Sequence, residues 1–398
     1  MRRLIGITPE ENAFCEQRRL ANFILSGQVT YLHIRKPHFT ESQMRDYLSY
    51  FKDDNVKKNL SLNDYQYLAT EYGIGGIHLN KRCHKEDYFT DQYEKKYPQL
   101  RYSISCHSIQ EADFWKDKVD YCFLSPIFDS ISKPGHNSAF TLPELQKAFL
   151  THHLNDKVCA LGGVTYNNIS ELENAGFTSF ALLSSLWQMG KTMFITHKND
   201  KYNYLSGAIE ALKGGIRFVQ LRMKGASDNE VLQTAKTLRE YCDKYAALLT
   251  IDDRIDLLQT DLFDGVHLGK NDMPISQAKQ ITSDKYLLGA TCNTVQDVQN
   301  AIDSGADYLG IGPYRFTTTK TNLSTILGKE GYAKIVAYMR DHNLHTPIYA
   351  IGGIEQEDIA SLMQTGIYGI ALSGVILRSQ EAQKTTNEIV NLINTIQK

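Results

Sequence analysis

In residues 191–398, short apolar runs alternate with longer stretches that have amphipathic helical spacing. The apolar runs predict eight β-strands, at Met193–Thr196, Phe218–Arg222, Ala247–Asp252, Gly265–Gly269, Tyr286–Cys292, Tyr308–Pro313, Ile348–Gly352 and Gly369–Leu372. Helical patterns lie between them, for example at Asn229–Tyr245, Thr294–Ser304, Tyr332–His342 and Gln356–Thr365. Eight such units predict an α/β fold with a parallel sheet closed into a (β/α)8 TIM barrel. An open doubly wound sheet is the alternative, but no strand precedes the glycine fingerprint of a dinucleotide site.

Residues 1–190 show the same alternation. Strands are predicted at Leu4–Thr8, Thr30–Arg35, Asn59–Asp64, Gly76–Leu79, Tyr102–Cys106, Cys122–Ile127, Val158–Gly162 and Phe180–Leu183. Only Ser184–Lys191 separates the eighth of these strands from the first strand of the next series. We therefore expect the first barrel to lack its last helix, with a linker of a few residues near Trp187–Thr192.

The two halves are also related in sequence. Gly76-Ile77-His78-Leu79 returns as Gly265-Val266-His267-Leu268, 189 residues later, and Gly162-Gly163 returns as Gly352-Gly353, 190 residues later. Pro126 and Lys133 match Pro313 and Lys320, both at an offset of 187 residues. Ordered landmarks at nearly constant offset indicate a tandem duplication. The predicted domains are residues 1–190 and 191–398.

Composition narrows the function classes. The 398 residues are 42% hydrophobic with a formal net charge of −2, so neither nucleic acid nor a membrane is expected as a partner. The seven cysteines form no Cys-x-x-Cys pair, which favours free thiols in a reducing compartment. No signal-peptide pattern or membrane-spanning run is evident, and a cytoplasmic location is predicted.

The first group of candidate site residues follows the second strand of the second barrel. Gln220, Arg222 and Lys224 alternate along the chain, so their side chains share one side of the strand. An inward arginine at the carboxyl end of a barrel strand is costly unless it meets an anion. The alternative is an arginine paired with a neighbouring carboxylate.

Carboxylates follow the next two strands. Adjacent strand ends are neighbours in a barrel, so Asp253 and Asp272 can share a hard cation such as Mg²⁺. Alternatively, Asp253 caps the next helix. We interpret His267 as a packed barrel residue rather than a metal ligand.

Phosphate-binding features follow the later strands. Gly352-Gly353 and Leu372-Ser373 come after strands seven and eight, where barrels of this type commonly bind phosphate through backbone N–H groups. Thr317, Thr319 and Lys320 form a hydroxyl-and-lysine loop after strand six. Together these features fit two phosphorylated substrates, one of them a metal-bound diphosphate that departs as a leaving group. No Ser–His–Asp set or Cys–base pair indicates covalent catalysis.

The second half resembles the thiamine phosphate synthases. The resemblance covers most of that half and lies in these segments: Gln220–Lys224, Asp252–Leu257, Gly265–Asp272, Gly312–Lys320, Ile351–Ile354 and Leu372-Ser373. It implies that 4-amino-2-methyl-5-(diphosphooxymethyl)pyrimidine condenses with a thiazole phosphate to give thiamine phosphate and diphosphate. The implied mechanism is dissociative and Mg²⁺-assisted, and it leaves open whether the thiazole is the carboxylated tautomer.

The resemblance also implies roles for individual residues. The pyrimidine diphosphate would be held by Gln220, Arg222, Lys224, Asp252, Thr291 and Lys320, with Lys320, Arg222 and Lys224 as the catalytic residues. Mg²⁺ would be bound by Asp253 and Asp272. The thiazole phosphate would be held by Thr317, Thr319, Gly352, Gly353, Leu372 and Ser373. Two positions depart from the family, which usually has asparagine where this chain has Asp252 and serine where it has Thr291.

The first half resembles the thiazole tautomerase-like relatives of that family more loosely. It keeps counterparts of several site residues, namely Arg35, Asn63-Asp64, Ser105, Ser132-Lys133 and Gly162-Gly163. It has His33, Pro37 and Cys83 where the second half has Gln220, Lys224 and Asp272. The tautomerase histidine falls at Pro126, with His107 and His136 as possible substitutes. The first barrel is therefore either a second enzyme acting on thiazole phosphate or a non-catalytic barrel. A non-catalytic phosphate-binding scaffold is the rival interpretation for the whole chain, and a homo-oligomer remains open.

Overall fold

The structure is a computed structural model of the chain and describes residues 2–13, 15–79, 89, 93–128, 138–166, 168–282, 285–316 and 326–396. It divides into two units, Met1–Gln188 and Met189–Lys398. Each unit contains one closed barrel of eight parallel strands, in chain order around the barrel. The fold is therefore two tandem (β/α)8 barrels, as the hydrophobic pattern predicts.

The first barrel is built from β1 to β8, which are Arg3–Ile7, Tyr31–Ile34, Leu60–Leu62, Gly76–Leu79, Arg101–Cys106, Tyr121–Leu124, Val158–Ala160 and Ser179–Leu182. Its described helices are Glu16–Leu25, Glu41–Ser49, Asp54–Asn59, Leu68–Tyr72, Ile109–Trp115, Leu142–Leu150, Ile169–Asn174 and Ser184–Trp187.

The second barrel is built from β9 to β16, which are Thr192–Ile195, Phe218–Leu221, Leu248–Asp252, Gly265–Leu268, Leu287–Cys292, Tyr308–Ile311, Ile348–Ile351 and Gly369–Leu372. Its described α-helices are Tyr204–Lys213, Asp228–Lys244, Ile275–Thr282, Val295–Asp303, Gly328–Asp341, Ile359–Met363, Gly374–Leu377 and Ala382–Ile396. Two 3₁₀ segments, Ile255–Thr260 and Gln356–Asp358, complete it.

All sixteen predicted strands are present, and the differences lie at their ends. The strand predicted to reach Pro313 stops at Ile311, since proline has no N–H to donate to a neighbouring strand. Likewise, β3 covers only Leu60–Leu62 of the predicted Asn59–Asp64. The residues that this shortening releases, including Asn63 and Asp64, are polar and lie in the loops beyond the strand ends.

The first barrel lacks a full eighth helix, as predicted. Within its described part, β8 is followed by the four-residue helix Ser184–Trp187, and β9 begins at Thr192. Trp187 is 8% exposed, and its indole Nε1 donates to the carbonyl oxygen of Ile7 at 2.6 Å. The corresponding position in the second barrel carries Ala382–Ile396, whose buried residues recur at helical spacing.

The lower interior of the second barrel is filled by aromatic rings. Phe218, Tyr308 and Tyr349 are fully buried near the amino ends of their strands, with ring centroids 5.4–5.8 Å apart. Rings at such distances pack edge to face and leave no channel. Any ligand space in this barrel therefore lies toward the carboxyl ends of its strands.

Two composition-based expectations can be compared with the described residues. The six cysteines among them are all free thiols. In the same part of the chain, no helix has the length and apolar character needed to cross a membrane.

Candidate active site

A cavity of about 520 Å³ opens at the carboxyl ends of the second barrel's strands. Its lining includes eleven of the residues singled out from the sequence, namely Gln220, Arg222, Lys224, Asp252, Asp253, Asp272, Thr291, Gly352, Gly353, Leu372 and Ser373. These residues come from six different strand ends. Parallel strands in one barrel bring such ends together although the sequence separates them by up to 153 residues.

At the end of β10, Gln220 is 3% exposed, and its amide Nε2 donates to Asp252 Oδ1 at 2.5 Å. Arg222 Nε lies 3.3 Å from Asp252 Oδ2. The backbone N–H of Arg222 donates to Thr196 Oγ1 at 2.9 Å, which fixes this strand end against β9. Arg222 is thus paired with a carboxylate, the alternative considered for it, while also lining the cavity. Lys224 is exposed at the rim.

Three carboxylates gather at the ends of β11 and β12. Asp253 has a left-handed backbone with φ of 66°, and its N–H donates to the carbonyl oxygen of His267 at 2.9 Å. Asp272 Oδ2 accepts from the N–H of Gly269 at 2.6 Å. Burial, followed by the charge of Asp252 and contact with Asp272, raises the pKa of Asp253 to about 7. Burial also raises the pKa of Asp252, against the opposing effect of Arg222.

Asp253 does not serve as a helix cap. The next element, Ile255–Thr260, follows Arg254 at its N-cap and has no side-chain capping hydrogen bond. The carboxylate of Asp253 therefore faces the cavity group without the structural role that was its alternative.

His267 is a packed barrel residue, as interpreted from the sequence. It is 7% exposed; Nδ1 lies 3.2 Å from the hydroxyl of Tyr308 and Nε2 lies 3.0 Å from Thr291 Oγ1. Both ring nitrogens are thus engaged, and the contact positions Thr291 at the cavity wall.

The turns after β15 and β16 bring bare backbone to the cavity. Gly352 and Gly353 have φ of 93° and 70°, a region that L side chains rarely adopt. A Cβ on Gly352 would lie 2.9 Å from the Cα of Pro313, so only glycine fits without movement. Leu372 ends β16, and the buried Oγ of Ser373 has no hydrogen-bond partner among the described residues. A phosphate oxygen would supply that missing partner.

Thr317, Thr319 and Lys320, the predicted hydroxyl-and-lysine loop, lie outside the described residues. Their roles stay predictions.

Several cavity residues were missed from the sequence. His197 follows β9, and Asn293 follows β13, with its amide donating to the carbonyl oxygen of Gly312. Arg378 Nη2 pairs with Glu355 Oε1 at 2.5 Å on the opposite wall. His197 and Asn293 stand at strand ends, the same signal that identified the other residues, whereas the Arg378–Glu355 pair joins loops that the sequence alone does not bring together.

The described part of the chain contains no group of three or more His, Cys, Asp or Glu side chains suited to hold a metal. Asp253 and Asp272 alone fit Mg²⁺, because this ion commonly takes one or two carboxylates and completes its shell with water and substrate phosphate. The raised pKa of Asp253 supports that fit, since crowded carboxylates resist ionisation until a cation joins them.

In the first barrel, the positions that align with this site are filled by side chains. His33, aligned with Gln220, is fully buried between Asn63 Oδ1 at 3.0 Å and the hydroxyl of Tyr121 at 2.6 Å. Phe123, aligned with the cavity-lining Gly310, is 1% exposed, with its ring centroid 5.0 Å from that of His33. Arg35 Nη1 pairs with Glu10 Oε1 at 2.6 Å. Cys83, Ser132, Lys133 and His136 lie outside the described residues.

Comparison with known proteins gives matches in both halves. The family model described as thiamine monophosphate synthase matches residues 4–186 and 192–376. A thiamine-phosphate synthase of Bacteroides thetaiotaomicron is 48% identical over 204 residues, which cover 51% of this chain and 98% of the relative. One of Phocaeicola vulgatus is 50% identical over 199 residues, covering 50% and 96%. The solved thiamine phosphate pyrophosphorylase from Pyrococcus furiosus is 32% identical, with a TM-score of 0.46, covering 52% of this chain and 96% of its own. Because the family model matches most of each half, the chain belongs to the thiamine monophosphate synthase family and carries that family's domain twice.

Proposed function

We propose that the second barrel is a thiamine-phosphate synthase, a transferase that joins the 4-aminopyrimidine diphosphate to a thiazole phosphate and releases diphosphate. The observation that carries this proposal is the single cavity lined by an arginine, a lysine, three carboxylates and two glycine-rich turns. The named relatives, at about half of the chain's length, support the transferase class.

In the reaction, the bond between the pyrimidine methylene carbon and the diphosphate oxygen breaks, and its electron pair leaves with diphosphate. The lone pair of the thiazole nitrogen then forms the new bond to the methylene carbon. Arg222 and Lys224 would bind the diphosphate and stabilise the charge that grows on it. The guanidinium of Arg222 is oriented by the contact of its Nε with Asp252, which leaves its terminal nitrogens for the anion. Lys320 is assigned the same stabilising role by family resemblance.

Asp253 and Asp272 would hold Mg²⁺ beside these cations. When bound, the ion supplies Lewis-acid stabilisation of the leaving diphosphate. On the other side of the cavity, the backbone of Gly352 and Gly353 and the hydroxyl of Ser373 would bind the thiazole phosphate, together with Thr317 and Thr319.

For the first barrel we infer binding of a single phosphate rather than a diphosphate. Gly162 and Gly163 keep the left-handed turn, with φ of 93° and 65°. Phe123 and the Arg35–Glu10 pair occupy the places where a second barrel would receive the pyrimidine diphosphate.

Tautomerisation of the thiazole phosphate is a second candidate activity of that barrel, favoured by His107. Its Nδ1 lies 3.1 Å from the carbonyl oxygen of Ser125, an acceptor, so this nitrogen carries the proton. The exposed Nε2 is then free to act as a base. A non-catalytic phosphate-binding barrel remains the rival interpretation.

The test is an assay of diphosphate release from the pyrimidine diphosphate, with and without a thiazole phosphate, in Mg²⁺ and in EDTA. We expect thiamine phosphate to form only with both substrates and Mg²⁺. Asp272→Ala should abolish synthesis, whereas Asp64→Ala, the aligned change in the first barrel, should leave it largely intact. Asp64 Oδ2 accepts from the N–H of Lys36 at 2.9 Å, a structural role. Ligand binding without turnover by the wild-type chain would instead support the scaffold.

A further inference from the structure

The contacts of Asp252 determine which face of the Gln220 amide is available to a ligand. Asp252 Oδ1 accepts from Gln220 Nε2, and Oδ2 faces Arg222 Nε. Both oxygens of the carboxylate are therefore used as acceptors. A carboxylate with two donors around it can receive only the NH₂ group of Gln220, never its carbonyl oxygen.

Gln220 consequently keeps its orientation. Its NH₂ group points to Asp252, and its oxygen has no hydrogen-bond partner among the described residues, while the residue lines the cavity. At 3% exposure the side chain is packed tightly enough that a reversed amide would set two oxygens against each other. The cavity thus presents a hydrogen-bond acceptor at this depth.

From these contacts we propose that Asp252 is a positioning residue that makes Gln220 an acceptor and so selects a ligand with an N–H donor. The ligand class is an aminopyrimidine, in preference to an analogue with a carbonyl oxygen at the same ring position. This inference rests on the proposed function, because the pyrimidine diphosphate is the ligand that would reach Gln220. It assigns a role to the one residue at which the site departs from the usual asparagine.

Asparagine at position 252 would reverse the preference. Its single side-chain oxygen would stay with the Arg222 guanidinium, and its NH₂ group would face Gln220. The amide of Gln220 would then turn to offer its oxygen to Asn and its NH₂ group to the cavity. A ligand carbonyl would gain a donor, and a ligand amine would meet one donor too many.

The first barrel contains the same cross-strand contact with different chemistry. His33 Nδ1 lies 3.0 Å from Asn63 Oδ1, at the positions aligned with Gln220 and Asp252. In both barrels, the residue after the third strand thus orients the side chain of the second strand. This recurrence supports a positioning role for the position.

The experiment compares the 4-amino pyrimidine diphosphate with its 4-oxo analogue on the full-length chain, by calorimetric Kd for each and by kcat/KM for product formation. We expect the wild-type chain to prefer the amine by roughly 10- to 100-fold, the effect of an unpaired buried polar group. Asp252→Asn should lower that ratio at least about tenfold, and Gln220→Leu should bring it close to one. Asp341→Asn, which removes the same charge from an exposed site, should leave it unchanged.

A wild-type chain that forms product but does not discriminate between the two ligands would overturn the inference and leave the proposed function standing. So would an unchanged ratio in either Asp252→Asn or Gln220→Leu. If no product forms from either ligand, the proposed function fails, while the two Kd values still test the amide orientation. Because the wild-type ratio is itself a test, poor folding of a variant does not remove the decision.

Discussion

Position 310 is glycine in the second barrel, and the aligned position 123 of the first barrel is phenylalanine. A Cβ on Gly310 would lie 2.9 Å from Cε1 of His267, the ring that holds Thr291 at the cavity wall. We expect Gly310→Ala to displace His267 and to lower kcat/KM by at least about tenfold, since small misplacements at a site are costly. Steady-state kinetics with both substrates measures this, and wild-type kinetics in Gly310→Ala would contradict it.

The complementary change in the first barrel is Phe123→Ala. Phe123 is 1% exposed and packs against the rings of His33 and His78. Its removal should destabilise the first barrel by about 3–5 kcal/mol, the range for buried phenylalanine. Synthesis should persist wherever the chain remains folded. Denaturant unfolding followed by two probes reports the stability, and the synthase assay at low denaturant serves as the control.

Lys320 and Lys133 form a matched pair in the two aligned loops. If Lys320 stabilises the departing diphosphate, Lys320→Ala should lower kcat by roughly 100-fold or more and weaken thiazole phosphate binding far less. Lys133→Ala should leave the synthase step largely intact. Equal loss of rate and binding in Lys320→Ala would instead indicate uniform binding. Loss of synthesis in Lys133→Ala, with the second barrel folded, would mean that the two sites are coupled.

At the scale of elements, the turn after the seventh strand is shared by both barrels. Gly352 and Gly162 both have φ of 93°, and a Cβ on either would lie under 3 Å from a proline Cα. Gly352→Ala and Gly162→Ala should therefore cost similar stability. Only Gly352→Ala should raise the KM for thiazole phosphate, by about tenfold or more, because it displaces the proposed phosphate-binding N–H groups. Similar KM changes in both variants would contradict this assignment.

The strands were predictable because each is a short apolar run between polar segments, and the order of the barrel follows from their alternation with helices. Strand ends were less certain, as at Pro313, because the pattern does not show where backbone pairing stops. Residues at strand ends, such as Asp272 and Gly352, were found by position alone. Contacts between loops were not: pairing of Arg222 with Asp252, and of Arg378 with Glu355, depends on three-dimensional spacing that a single sequence does not report.

Across the whole molecule, the same fold is used with two different interiors. In the second barrel, small residues at the carboxyl ends of strands leave a cavity of about 520 Å³ above an aromatic layer. In the first barrel, His33 and Phe123 take up the aligned positions, and Glu10 pairs with the arginine that an anion would otherwise meet. Duplication thus preserved the scaffold, while a few inward side chains separated the capacities of its two copies.

Separate expression of the second barrel tests whether that separation is complete. The sequence placed the start of the barrel near Met193, but the structure places three carbonyl contacts before it. Tyr368 donates to the carbonyl oxygen of Met189 at 2.5 Å, Tyr349 to that of Gly190 at 2.9 Å, and the N–H of Ile370 to that of Lys191 at 2.9 Å. Each net hydrogen bond contributes about 1 kcal/mol, and unpaired buried hydroxyls cost more.

We therefore expect residues 189–398 to fold alone and to synthesise thiamine phosphate with Mg²⁺ at a kcat/KM within a few-fold of that of the full-length chain. A fragment that begins at Met193 should keep the chemistry and unfold more easily, by roughly 3 kcal/mol or more. Thermal unfolding and synthase assays of the two fragments measure both effects, with the full-length chain as the reference. A folded 189–398 fragment without activity would show that the first barrel contributes to the reaction, and the division of labour proposed for the two barrels would then be wrong.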